Sequence, residues 1–297
     1  MLTTYHWTQE VVHHNCRTWM NNSAPPSSQQ HSASPIRWAG SKRLMLPKLT
    51  DFVPKHFRTY YEPMVGSGAL FFHLQAKPAI LGDVNPELIN FYRVLRSTPL
   101  VFLNLLHRLR PEHSVYRRVR AANPRTALKR AVRFYYLIRL SWNGLYRVNR
   151  QGRFNVPFSG RVPLQLLTRA CAVTASRALR GTQLVVADFE DIILEARRGD
   201  FVYLDPPYPR GSAQGAGFAR YTKEIFRDED HMRLAARAAV LAEKGVHVLI
   251  TEAARKELLC LFPRTFHLTM VRMPSLMAAK TADRRDAYEA ILTSYPV

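Results

Sequence analysis

The strongest constraint on the fold is an alternation of short apolar runs with amphipathic stretches, broken once by a long basic segment. Apolar runs at Tyr60–Met64 and Ala79–Leu81 alternate with helical periodicity at Leu70–Leu74 and from Asn85 or Pro86 through Leu88, Ile89, Tyr92 and Leu95. Ser41–Phe52 also has the pattern of a helix. After the basic segment the beat resumes. Gln183–Ala187, Phe201–Leu204 and His247–Thr251 have the apolar content of strands, and Phe189–Ala196 and Asp228–Glu243 that of helices. Such a βαβα rhythm predicts an α/β fold: a mostly parallel, Rossmann-like sheet with helices on both faces, interrupted by a mainly helical insertion over 98–183.

In parallel sheets of this kind, ligands bind beyond the carboxyl ends of the strands. Here each predicted strand of the first four ends near an acid: Glu62, Asp83, Asp188 and Asp205. One such acid commonly does no more than cap the next helix. Four at one sheet edge point to a ligand with hydroxyl, amino or cationic groups. The turn Glu62-Pro63-Met64-Val65-Gly66-Ser67-Gly68 supplies glycines where backbone must pass close to a ligand. It matches neither the dinucleotide GxGxxG pattern nor a P-loop, and no basic residue waits there for a pyrophosphate. An acid beside the turn suits an ammonium or sulfonium better than phosphates, and Asp83 is spaced to accept ribose hydroxyls.

The most informative tetrapeptide is Asp205-Pro206-Pro207-Tyr208, directly after Phe201-Val202-Tyr203-Leu204. Two prolines stiffen the backbone and remove two donors, so the Pro206 carbonyl stands as a fixed acceptor beside the Asp205 carboxylate. Tyr208 adds a stacking surface. Together they make a cradle for a planar ring with an amino group.

Charge is equally uneven. The chain carries a formal net charge of +21, yet residues 108–180 hold 17 Lys+Arg and a single acid, Glu112. Codon bias toward arginine explains an excess of Arg over Lys but not the missing acids. A polyanionic partner is implied; a membrane surface or an acidic protein could also receive such a segment, but the cradle for a planar amino-bearing ring makes nucleic acid the better candidate. Cys16, Cys171 and Cys260 are distant and odd in number, so neither a disulfide framework nor paired metal ligands are expected. No apolar run approaches the roughly 20 residues of a membrane span. Residues 1–34 are polar, with Ser, Gln and Pro, and are expected to form a flexible extension or to reflect an over-long gene start.

Six blocks in order carry a resemblance to the Dam-like (D12 class) DNA adenine methyltransferases. They are Arg37-Trp38-Ala39-Gly40-Ser41-Lys42, Glu62–Phe72, Asp83-Val84-Asn85, Asn143–Asn149 (NGLYRVN), Gly152–Pro157 (GRFNVP) and Asp205–Tyr208. The resemblance spans about Pro35 to Tyr295. It implies S-adenosyl-L-methionine as cofactor, met by Trp38, Ala39, Gly40, Lys42, Glu62, Pro63, Gly66, Gly68, Asp83 and Asp205, with Asp188 and Phe189 at its adenine. Lys42 would face the methionine carboxylate. It implies catalysis by Asp205, Pro206, Pro207 and Tyr208 on the 6-amino group of an adenine flipped out of double-stranded DNA, with no metal.

It also divides the chain into a catalytic domain, 35–97 with 184–297, and a basic target-recognition domain, 98–183. Expected DNA contacts are Arg37, Trp142, Asn143, Leu145, Arg147 and Asn149, with Arg117, Arg118, Arg120, Lys129, Arg130 and Arg133 meeting phosphates or solvent. Arg147 is suited to a guanine edge, and Trp142 or Leu145 to the gap left by the flipped base. GATC is the target the resemblance suggests. The expected enzyme is a cytoplasmic, DNA-associated monomer. Thr251-Glu252 stands where the family commonly has Ser-Asn, which puts Glu252 in a position to alter the pocket. The rival readings are an RNA or protein methyltransferase with a related tetrapeptide, and a non-catalytic DNA-binding descendant.

Overall fold

The computed structural model describes residues 34–160, 163, 166–208, 226–273 and 287–297. The extension 1–34, Ser34 apart, and the Gly- and Ala-rich segment 209–220 therefore lie outside the described residues.

The chain begins with helical turns at Lys42–Leu44, α1 (Leu46–Leu49) and Thr50–Phe52. They replace the single helix expected over Ser41–Phe52; a break falls at Met45, with proline at the start of α1. Next come β1 (Tyr60–Glu62), α2 (Ala69–Leu74), β2 (Ala79–Asp83) and α3 (Pro86–Ser97). The basic segment is helical: α4 (Pro99–His107), α5 (His113–Ala121), α6 (Ala127–Leu140) and α7 (Arg169–Leu179). The alternation then returns with β3 (Gln183–Val186), α8 (Phe189–Ile193), β4 (Phe201–Leu204), α9 (Asp228–Glu243), β5 (His247–Ala253), α10 (Lys256–Leu259), β6 (His267–Met273) and β7 (Ala287–Thr293).

The strands form one sheet in the order β3-β2-β1-β4-β5-β7-β6. β3, β2, β1, β4 and β5 run parallel, whereas β7 is antiparallel to both neighbours. The expected α/β, Rossmann-like sheet is thus present. Its strand order reverses between β1 and β4, the position at which crevices open in such sheets. β6 and β7 stand outside the expected alternation, because polar His267, Thr269 and Arg272 interrupt the edge strand β6 and Glu289 interrupts β7.

Two buried clusters cover the two faces. One contains α8, α9 and the adjoining strand residues, including Phe189, Ile192, Leu234 and Ile250. The other runs without interruption from Tyr60 and Phe71 through Leu88, Phe91 and Tyr92 of α3 to Phe102, Phe134, Tyr135 and Leu179 of the basic helices. Phe91 stands at the centre of this second cluster, with ring centroids 5.4 Å from Tyr135 and 5.6 Å from Phe102. The helices of the basic segment therefore close over α3 and share its core.

Candidate active site and nucleic-acid face

The site grows from the strand ends. β1 delivers Glu62 and β4 delivers Asp205 on the two sides of the reversal point. After β1 the backbone stays tied to β2, because Val65 N–H donates to the Gly82 carbonyl at 2.8 Å. Gly66 then adopts φ +43°, and a Cβ there would come within 2.9 Å of the Trp38 ring. Its N–H donates to Asp83 Oδ2 at 3.2 Å, and its carbonyl accepts from Tyr92 of α3 at 2.7 Å. Asp83 Oδ1 accepts from Asn85 N–H at 2.9 Å, and Asn85 Oδ1 in turn caps α3. Ser41 and Ser67 hydroxyls meet at 2.9 Å, joining the Trp38–Lys42 block to the turn.

These elements enclose a cavity lined by Trp38, Ala39, Gly40, Lys42, Glu62, Pro63, Gly66, Asp83, Asp188, Phe189 and Asp205–Tyr208, with Phe226 added from beyond β4. The expected cofactor and cradle residues thus converge in one place. Gly68 is the exception. It lies at the start of α2 with φ +62°, and a Cβ there would press on Phe72 at 3.0 Å and Val65 at 3.4 Å, so the constraint on it is packing against its own helix. Asp188 caps α8 through Glu190 N–H, and it also accepts from Arg233 of α9 at 2.8 Å. The same guanidinium lies 5.1 Å from the Phe189 ring centroid.

The cavity is acidic and short of cations. Burial pushes the Glu62 carboxyl up to about 8, only partly opposed by the hydrogen bond from Tyr60. Burial likewise raises Asp83 to about 6. Among the described residues Lys42 is the cation on the cavity wall, and it is paired with two carboxylates of the protein. Its ammonium lies 2.5 Å from Asp205 Oδ1 and 3.2 Å from Glu289 Oε1. Burial opposes that charge, but the two carboxylates outweigh the penalty and hold the ammonium above its ordinary range.

Glu289 and His231 were not read from the sequence, and Thr251, noted there only for its place after the strand, takes a partner the sequence did not show. Thr251 Oγ1 donates to Asp205 Oδ1 at 2.8 Å. Glu289, on β7, accepts from the Tyr208 hydroxyl and from Lys42. His231, on α9, pairs with Glu252 at 2.9 Å, both at most 2% exposed. Strand alternation explains the fate of Thr251-Glu252: successive side chains take opposite faces. Thr251 reaches Asp205, whereas Glu252 turns to His231 and is not among the cavity lining. Glu252 stands behind the cavity wall, where its charge still bears on Tyr208.

The NGLYRVN and GRFNVP blocks pair as a short ribbon. Bridges join Ser141 to Phe158 and Val148 to Phe154. Asn149 N–H donates to the Arg153 carbonyl, and Asn149 Oδ1 accepts from Gln151 and Arg153 N–H across the turn. Arg147 is exposed, with Nε donating to Asn155 Oδ1 at 2.8 Å. Trp142 is 54% exposed beside Asn143, which adopts φ +53°, whereas Leu145 packs in part on the core. Arg37 lies against Gly144, where a Cβ would meet its side chain at 3.1 Å. Trp38 stacks on Tyr146 with centroids 6.3 Å apart. The ribbon is thereby joined to the cavity wall.

Beside the ribbon runs a groove of about 1500 Å³, whose lining includes Arg117, Arg125, Arg130, Arg133, Asn149 and Arg153. Arg118 and Lys129 are exposed on α5 and α6 outside that lining. Two of the expected phosphate ligands spend donors on the protein itself. Arg130 is ion-paired with Glu87, and Arg133 donates to the carbonyls of Val119 and Arg120 at 3.1 and 2.8 Å.

A family model described as D12 class N6 adenine-specific DNA methyltransferase matches residues 38–271. The chain belongs to this family. It is 33% identical over 269 residues to the type II methyltransferase M1.LlaDCHI of Lactococcus lactis subsp. cremoris, covering 87% of this chain and 94% of that protein. It is 32% identical over 223 residues to a DNA adenine methylase of Vibrio cholerae, covering 73% of this chain and 79% of the relative. A DNA adenine methylase of Escherichia coli is also 32% identical, over 222 residues with the same coverage. The chain is accordingly an adenine-specific DNA methyltransferase, which requires a methyl donor and a DNA substrate. Among the described residues no helix is long and apolar enough to cross a membrane, and no cluster of His, Cys, Asp and Glu is arranged to hold a metal.

Proposed function

We propose that the enzyme transfers the methyl group of S-adenosyl-L-methionine to the 6-amino group of an adenine flipped out of duplex DNA. One observation carries this reading: Asp205–Tyr208 line the same cavity as Trp38, Glu62 and Asp83, at the reversal point of the sheet and beside a basic groove.

The cavity suits that cofactor. Glu62 is a buried and Asp83 a half-buried carboxyl, neither with a full countercharge, and a cationic sulfonium and ammonium would supply one. Asp83 and Glu62 would hold the polar groups, Trp38 an apolar edge, and Asp188 with Phe189 the adenine end. The cofactor supplies an activated methyl group; the residues of this chain orient its acceptor.

Lys42 and Thr251 both donate to Asp205 Oδ1, so that oxygen is committed and Oδ2 has no protein donor among the described residues. Oδ2 and the Pro206 carbonyl would accept the two N–H bonds of the target amine. Those bonds draw its lone pair out of ring conjugation and stabilise the positive charge that develops on nitrogen during transfer. Tyr208 would hold the ring by stacking, and positioning supplies much of the rest.

The segment 98–183 carries target recognition in this reading. Exposed Arg147, buttressed by Asn155, is placed to address a guanine edge, and exposed Trp142 to fill the space beside the flipped base. Arg37, Asn143, Leu145 and Asn149 shape that ribbon. Arg117, Arg118 and Lys129 meet phosphates, with Arg130 and Arg133 adding to the groove while braced on the protein. The resemblance of the NGLYRVN block favours GATC. One chain holds both cavity and groove, so we infer a monomer on DNA, working in the compartment that contains it.

The test is Asp205→Ala with labelled S-adenosyl-L-methionine and duplexes with or without GATC. Methyl transfer should vanish while duplex affinity stays within a few-fold of wild type. Wild-type turnover by the variant would refute the mechanism, and equal turnover on both duplexes would refute the target.

A further inference from the structure

Glu289 is 3% exposed, comes from the antiparallel strand β7, and touches Tyr208 of the cradle and the Lys42 ammonium without lining the cavity. One of its oxygens accepts from the Tyr208 hydroxyl and lies 3.2 Å from the Lys42 ammonium. That ammonium is also 4.7 Å from the centroid of the Tyr208 ring. Two carboxylates and one ring thus share a single cation. The geometry points to Glu289 as a positioning residue for methyl transfer, which anchors the stacking ring of Tyr208 and draws part of the Lys42 charge away from Asp205. This rests on the reading of Asp205 as acceptor of the adenine amine.

The physical consequence is a division of labour. If Lys42 served Asp205 alone, its full charge would sit on that carboxylate and weaken it as an acceptor. Glu289 takes a share, leaving the Asp205 carboxyl a more electron-rich acceptor. It also fixes the hydroxyl end of Tyr208, so the ring is set before a base arrives. Asp205 faces Lys42 and Glu289, and further off Glu62 and Tyr60 of β1, Tyr203 of β4 and Tyr208. Of these, Glu289 is the neighbouring carboxylate that shares the countercharge of Asp205. Burial raises the Asp205 pKa, Lys42 lowers it and Glu289 raises it again.

The experiment is the pH profile of single-turnover methylation at saturating cofactor and duplex for wild type, Glu289→Gln, Tyr208→Phe and Asp205→Asn. Glu289→Gln keeps the side-chain shape and an acceptor for Tyr208 but removes a like charge from beside Asp205. Its acid limb should move to lower pH, and its plateau should fall about 10- to 100-fold, the scale of a misplaced reacting group. Affinity for S-adenosyl-L-methionine should stay near wild type. Tyr208→Phe breaks the same link from the other end, and should lower the plateau without moving the limb. A wild-type plateau and an unmoved limb in Glu289→Gln, with Asp205→Asn inactive, would overturn the role of Glu289 alone. Wild-type turnover by Asp205→Asn would instead overturn the reading of the acceptor.

Discussion

Gly82→Ala tests how the sheet positions the adenine end of the cofactor cavity. Gly82 sits in β2 opposite α8, and a Cβ there would lie 2.1 Å from Ile192 Cδ1 and 3.1 Å from Cγ1. Carbon atoms rest about 3.5–4.0 Å apart, so the methyl arrives roughly 1.5 Å too close. Ile192 is 6% exposed among Phe189, Ile193 and Val202, so its Cδ1 must swing aside within a packed cluster or α8 must shift. Overpacking of this kind costs about 1–3 kcal/mol. The backbone of Gly82 is outside the left-handed region, so alanine also restricts the unfolded chain and returns about 0.4–1 kcal/mol. The two ranges combine to a net loss of about 0–2.6 kcal/mol, centred near about 1.3 and so a drop of about 3–5 °C in Tm for a chain of this size.

Because α8 begins at Asp188 and Phe189, calorimetric affinity for S-adenosyl-L-methionine should fall as well. Ile192→Val removes the Cδ1 atom that collides, so in that background the same alanine should cost less than half as much in both Tm and affinity. An equal penalty in the two backgrounds would refute the steric reasoning. So would an unchanged Tm in the single variant.

Two other outcomes follow from the charges. The folded-state pKa values of Glu62 and Asp83 lie above their ordinary ones, so the folded protein holds protons that the unfolded chain releases. Stability from these groups is therefore fully present below about pH 4 and is lost as pH rises toward 8. Binding a cationic cofactor should reverse the shift and expel protons, so calorimetry near pH 7 in buffers of different ionisation enthalpy should show proton release; none would refute the role of Glu62. On the DNA side, neutralising Arg117, Arg118 and Lys129 together should reduce the slope of log affinity against log salt by about 0.9 for each lost phosphate contact. Arg133→Ala should lower Tm more than slope, because its donors serve the Val119 and Arg120 carbonyls; a full slope change in that variant would reverse the assignment.

The strand ends were legible because local chemistry marks them: glycine at a forced turn, paired prolines, an acid after an apolar run. Glu62, Asp83, Asp188 and Asp205 could be aligned from the βαβ rhythm alone, since parallel topology brings strand ends to one edge. Glu289 could not. Its distance to Lys42 is set by β7 inserting antiparallel between β5 and β6, and those strands leave a weak pattern because one lies exposed at the sheet edge. The same limit applies to Arg130 and Arg133. A basic run announces a polyanion, but which guanidinium is already occupied depends on where α3 and α5 pack. The pairing of His231 with Glu252 was hidden because α9 and β5 meet only in the folded state.

The unbroken core from β1 through α3 into α4, α6 and α7 has an evolutionary consequence. Leu88, Phe91 and Tyr92 of α3 are covered by Phe102, Phe134 and Tyr135, so excising or exchanging the whole basic segment would strip apolar surface from the sheet that holds the catalytic cavity. On the proposal that this segment reads the target, swapping it as a cassette would cost the core it shares with the sheet. The ribbon over Asn143–Pro157 and the exposed faces of α5 and α6 are then the places where side chains can change without disturbing that core. Divergence in target sequence should accumulate there, while α3 and its covering aromatics drift only in concert.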